Sequence, residues 1–165
     1  DREYQCRVMP DASLRDGEGG PLRLLAQGAA AMPVLSALLQ DAVLAAGDMS
    51  WDRRRRRFAA LVNRFRWEDR DEAAREGRPF ERVRSLLAVE DVLAARVMGI
   101  EPRRKDEILS ILSLAWEPGE DGTGRLILTL AGDGAVALEV EALDVRLEDV
   151  TRPYIAPSRH VPDHG

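Results

Sequence analysis

A chain of 165 residues fits one domain. Its 45% hydrophobic content supports a core and excludes wholesale disorder, and it holds no run of about 18 apolar residues, the length of a membrane-spanning helix. The formal net charge of -5 excludes a global attraction to nucleic acid or anionic lipid, and the single cysteine, Cys6, excludes a disulfide framework or a zinc–cysteine site within one chain.

Residues 1–21 read as a flexible N-terminal extension, polar and ending in Gly17-Glu18-Gly19-Gly20-Pro21. The first residues show no apolar run of the secretory type, so the expected address is cytoplasmic. A single globular domain is expected over 22–150, followed by a Pro-rich C-terminal tail over 151–165, where Pro153, Pro157 and Pro162 interrupt regular structure. Leu22 to Ala26 is a short strand candidate. Pro33 suits the first turn of a helix, and Val34, Leu35, Leu38, Leu39 and Ala42 recur at helical spacing. The period then changes to two: Phe58, Ala60 and Val62 alternate with Ala59, Leu61 and Asn63 in a long strand running on to Trp67. The five arginines Arg53–Arg57 stand where the chain turns into it. Residues 68–81 read as a charged loop. In 82–98, Val83, Leu86 and Leu87 fit a helix, whereas Val89, Val92 and Val97 fit two strands with Asp91 at a bend; the strand reading is adopted.

Ile108 to Trp116 is an apolar run of strand length, read as buried on both sides because Ser110 and Ser113 fall out of phase. Leu126, Leu128 and Leu130 alternate, Gly132-Asp133-Gly134 makes a hairpin turn, and Val136, Leu138 and Val140 alternate again. The phase slips at Ala142 before Leu143, Val145 and Leu147, which predicts a bulge or a bend. The fold class is therefore α+β: a mostly antiparallel, strongly curved β-sheet or partial barrel of six to eight strands, with one amphipathic helix near the N-terminus.

The strings Gln40-Asp41-Ala42 and Asn63-Arg64-Phe65-Arg66-Trp67, with Gly47-Asp48-Met49, Arg96-Val97-Met98-Gly99-Ile100 and Glu117-Pro118-Gly119, resemble the alphaproteobacterial family catalogued as domain of unknown function 2948. The resemblance covers about residues 22–150. It implies a bacterial cytoplasmic setting and assigns no catalytic residue.

Catalytic clusters are sparse. The only histidines, His160 and His164, lie in the tail, and Pro162 disfavours the helix that would let them share a metal with Asp163. No phosphate-cradling glycine motif precedes a helix. Glu139, Glu141, Asp144, Glu148 and Asp149 alternate with inward apolar residues and so read as a solvated face. These patterns point away from an enzyme and call for no cofactor and no metal.

The charges are polarised. Residues 51–66 carry seven arginines against Asp52, and residues 120–150 carry eight acids against Arg125 and Arg146. Trp51 and Trp67 interleave with the arginines. The candidate binding residues are therefore Trp51, Arg54, Arg55, Arg56, Arg64, Arg66 and Trp67. Such a face pairs with acidic strands of the same molecule or of a partner, or binds phosphate backbones and stacks bases. The expected function is a non-enzymatic protein-interaction or homo-oligomeric module acting through charged patches; the alternative is single-stranded nucleic-acid binding through the Arg/Trp face.

Overall fold

Alternation of apolar side chains over most of the chain produces strands, and the computed structural model assembles them into one antiparallel sheet. It describes residues 6–8, 21–77, 81–101 and 103–152. In chain order the strands are β1 (Cys6–Val8), β2 (Arg23–Ala26), β3 (Val43–Ala45), β4 (Met49–Asp52), β5 (Arg57–Phe65), β6 (Arg82–Val89), β7 (Val92–Met98), β8 (Ile108–Pro118), β9 (Gly124–Leu130), β10 (Gly134–Val140) and β11 (Val145–Asp149). Helix α1 (Met32–Leu39) has Pro33 in its first turn and buries Met32, Leu35, Leu38 and Leu39.

Ten strands lie on one path, β1-β2-β11-β6-β5-β3-β8-β9-β10-β7, and β4 pairs with β5 off it. This corrects the expected six to eight strands in a strongly curved sheet or partial barrel. The sheet is longer, and it is neither closed nor strongly curled. Two features of the sequence hid the extra strands. β3 and β4 are too short to show a period, and β1 lies within the segment read as an extension.

Cross-strand rows carry the core. Ala60, Leu87, Leu147 and Leu24 face one another across β5, β6, β11 and β2, all buried. Val136, Leu128 and Leu114 form a second buried row across β10, β9 and β8. Both rows belong to one continuous apolar core, which also takes the buried side of α1. Each buried leucine contributes roughly 1.5–3 kcal/mol relative to exposure, so these rows and the helix face supply the main driving force.

The ambiguous 82–98 segment is two strands, with Asp91 at the turn and its φ at 57°. The Gly132-Asp133 turn uses two positive φ angles, 83° and 70°, as the hairpin requires. The phase slip at Ala142 is a strand boundary: β10 pairs with β9 and β7, whereas β11 pairs with β2 and β6. The slip within β8 is a bulge between Ile111 and Ser113. It exposes Leu112 and leaves the strand buried on one side only, against the two-sided burial expected. Part of the charged loop is helical: α2 (Arg70–Arg75) follows a short 3-10 turn over Trp67–Asp69.

Candidate functional site

The arginine run forms the β4–β5 turn. Asp52 accepts the Arg55 backbone N–H at 3.1 Å, and Arg56 takes φ 55° to close the loop. The side chains do not all fan into solvent. Arg56 donates to Glu141 at 2.8 Å, Arg57 to Glu90 at 2.9 Å, and Arg55 stands 3.9 Å from Asp52. The basic and acidic stretches thus meet inside one molecule. Arg53 and Arg54 are exposed and have no ion pair among the described residues.

Arg64 and Arg66 are buried, which removes them from the expected binding face. Alternation is the cause. Phe58, Ala60, Val62 and Arg64 share one side of β5, so the strand that buries the first three buries the fourth. Arg64 is 0% exposed, and all five of its N–H groups are used: to Ser85 Oγ at 3.0 Å, Phe65 O at 3.1 Å, both Glu68 carboxylate oxygens at 2.8 Å, and Asp149 Oδ1 at 2.9 Å. Asp149 also accepts from Ser85 Oγ at 2.7 Å and from the Leu22 N–H at 2.8 Å. Burial alone would lower the pKa of Arg64, but the Glu68 carboxylate and then Asp149 outweigh it and hold it above the ordinary value. Burial would likewise raise Glu68, yet the Arg64 hydrogen bonds pull its pKa below the carboxylate norm. A general acid needs the opposite shift. Arg64, Glu68 and Asp149 do not line the clefts beside β4, β3, β7 and β9 among the described residues. The cluster corrects the expectation that Asp149 lies on a solvated face, and it acts as a bolt joining β5, β6 and β11.

The three tryptophans do not share a site. Trp67 is partly buried and donates from Nε1 to the Gln40 carbonyl at 2.9 Å, its ring 5.4 Å from Phe65. Arg82 lies 4.1 Å over the Phe65 ring and donates to Asn63 Oδ1 at 2.7 Å. Trp116 covers Gly124, where a Cβ would come 2.3 Å from its ring. Trp51 lines a cleft. That cleft, about 380 Å³, has walls of Met49, Trp51, Phe58, Ala95, Val97 and Ile100, with Glu101 and Lys105 also lining it. It lies between β4 and β7. Among the described residues each of these strands pairs with a strand along one side only, β4 with β5 and β7 with β10. At one end the Val92 N–H of β7 donates to the Arg56 carbonyl in the β4–β5 turn at 2.8 Å. Val97 is 52% exposed and Leu93 48%. Sequence reasoning missed Ala95, Val97 and Lys105; the signal was the seven-residue strand Val92–Met98, whose only charge is Arg96.

Among the described residues no group of histidine, cysteine or acidic side chains could hold a metal ion, and no helix is long and apolar enough to cross a membrane. His160 and His164 lie outside the described residues.

The fold and these sites define a single-domain antiparallel β protein with one N-terminal helix, a buried arginine–carboxylate cluster and one apolar cleft between two strand edges. The chain belongs to the family described as protein of unknown function DUF2948, which it matches over residues 22–164. No curated protein and no solved structure matches it. Two of the strings that carried the family resemblance, Gln40-Asp41-Ala42 and Asn63-Arg64-Phe65-Arg66-Trp67, meet in space through the Trp67–Gln40 hydrogen bond.

Proposed function

We propose that this protein is an interaction module that makes its contact at the β4–β7 cleft. The observation that carries the reading is the pair of strand edges, each without a neighbour on one side, flanking an apolar wall that includes Trp51 and Val97. Unpaired edges and exposed apolar strands are surfaces that proteins otherwise cover or charge. The charged patches recede in this reading, because Arg56 and Arg57 already hold Glu141 and Glu90. The partner is a protein or a second copy of this chain.

The test is light scattering coupled to size exclusion at low and high salt, with capture of partners from the host by tagged wild type and by Val97→Asp. Self-association, or a partner lost with Val97→Asp, supports the reading. A monomer that captures nothing overturns it.

Single-stranded nucleic-acid binding is supported by Arg53 and Arg54 standing beside Trp51 in the chain, both exposed. It requires affinity for an oligonucleotide in low salt that Arg54→Glu abolishes.

A further inference from the structure

We propose that the β4–β7 cleft receives an extended segment of a partner protein as an added strand, one apolar side chain seated against Trp51 and Val97, and a carboxylate beside Arg53 and Arg54. This rests on the reading of the cleft as the contact site and names its occupant.

The main chain argues first. A strand at the end of a sheet presents a row of N–H and C=O groups that another extended chain matches without further rearrangement. β7 offers the outward-facing backbone groups of Leu93–Met98, beyond the Val92 N–H that already bonds Arg56, and β4 offers those of a four-residue strand across the cleft. At about 3.3 Å per residue, a segment of β7's length spans roughly 20 Å. A compact small molecule would leave most of that edge without a partner.

Side chains give the second argument. A strand sends alternate residues to opposite faces, and Ala95 and Val97, two apart on β7, both line the cleft. An added strand antiparallel to β7 places its own alternate residues beside them, opposite Trp51. Phe58, 3% exposed, also lines the cleft, so the seat is apolar at its base. Apolar residues on that face of the incoming strand bury area here at about 25 cal/mol per Å².

Charge decides the chemistry of the flank. At the Lys105 end, Glu101 lines the cleft too, so the local charge is balanced. At the other end, β4 runs directly into Arg53 and Arg54. Arg55, Arg56 and Arg57 in the same turn each stand against a carboxylate of this chain. The two remaining guanidinium groups favour an incoming segment with Asp or Glu where it passes the turn. Such exposed charges steer and select more than they bind, so affinity falls as salt screens them.

A random peptide library displayed on phage, selected against the full chain and counter-selected against Val97→Asp, tests this. Val97 is half exposed, so the variant leaves the core intact, and matching thermal melts verify it. The expected result is a family of peptides with alternating apolar residues and an acid at one end. Calorimetry on a synthetic representative should show at least about tenfold weaker binding for Val97→Asp, for Arg53→Glu with Arg54→Glu, and for a peptide N-methylated at alternate backbone positions. N-methylation leaves the side chains and removes strand hydrogen bonds. Equal binding by the methylated peptide overturns strand addition, as does selection of nothing beyond what Val97→Asp selects. A dimer that Val97→Asp dissolves makes the occupant a second copy; that overturns the partner segment and leaves the interaction-module reading standing. If the selection yields nothing and the protein is monomeric and captures no host partner, both readings fall.

Discussion

Arg64 Nη2 and Asp149 Oδ1 lie 2.9 Å apart although 85 residues separate them in the chain. The contact closes a row in which Val62, Ser85 and Asp149 stand side by side on β5, β6 and β11. Immediately behind it runs the wholly apolar row of Ala60, Leu87 and Leu147. One turn of polar chemistry therefore ends the core. Glu68 reaches back from the 3-10 turn to complete it.

Arg64→Met leaves Glu68 and Asp149 facing each other in a site where they are 4% and 2% exposed. An uncompensated buried charge costs about 3–5 kcal/mol, so urea unfolding should show a loss of that order. Arg64→Lys retains the charge and loses the two-pronged grip on Glu68, and should fall between the two. A wild-type midpoint in Arg64→Met would mean the cluster contributes nothing.

The surface pair Arg56–Glu141 has the same 2.8 Å geometry as Arg64–Glu68 but sits in water, 53% and 59% exposed. Arg56→Gln should therefore change stability by only about 0–1 kcal/mol. The contrast between the two pairs in one urea series measures what burial adds.

Stability should depend on pH through two carboxyls of opposite sign. Glu68 is held below its ordinary value of 4.5 by Arg64, against the pull of burial. Its contribution is complete above that value and is lost as pH falls through the lower folded pKa. Asp144 is pushed up by burial from its ordinary 3.8, with the Gln27 hydrogen bond opposing. Its charged form is thus disfavoured in the fold, a penalty present above the folded pKa and absent below 3.8. Urea midpoints from pH 7 to pH 3 should show Glu68→Gln losing its deficit toward acid. Asp144→Asn should be at least as stable as wild type at pH 7, with any gain vanishing toward acid.

Gly99 has φ 71°, and a Cβ there would lie 2.4 Å from the Asp133 carbonyl oxygen. The contact is with backbone, which cannot swing away. Gly99→Ala should destabilise by about 1–3 kcal/mol, read from a melt, and should shift the end of β7 and the adjacent Ile100 wall of the cleft. Gly122 has a positive φ too, 85°, but open space around it, so Gly122→Ala should cost less.

Much of the fold was legible in the residues. Leu126 to Val140 alternates around two glycines, and a period of two can bury only one side of a strand. Pro33 and the leucines after it fix a helix for the same kind of reason. Val92 and Val97 are β-branched and favour strands over the helix that Leu86 and Leu87 allow. By contrast, no local period distinguishes a three-residue strand from a loop, so β3 and the full width of the sheet were hidden. The arginine run was readable as a turn, but which acids would answer Arg56 and Arg57 was not. Glu141 and Glu90 are brought there by pairings of β10 and β6 with strands remote in sequence.

The sequence by itself determined where the longer strands and the first helix form and which face of each is apolar, because side-chain periodicity acts within a few residues of its origin. Even the burial of Arg64 was implicit in its phase with Phe58, Ala60 and Val62. Only the tertiary structure decided that Ser85 and Asp149 stand beside that guanidinium and that β4 and β7 face each other across an apolar cleft. Strand order depends on contacts between segments tens of residues apart, and those are settled by how all the apolar faces can be covered at once.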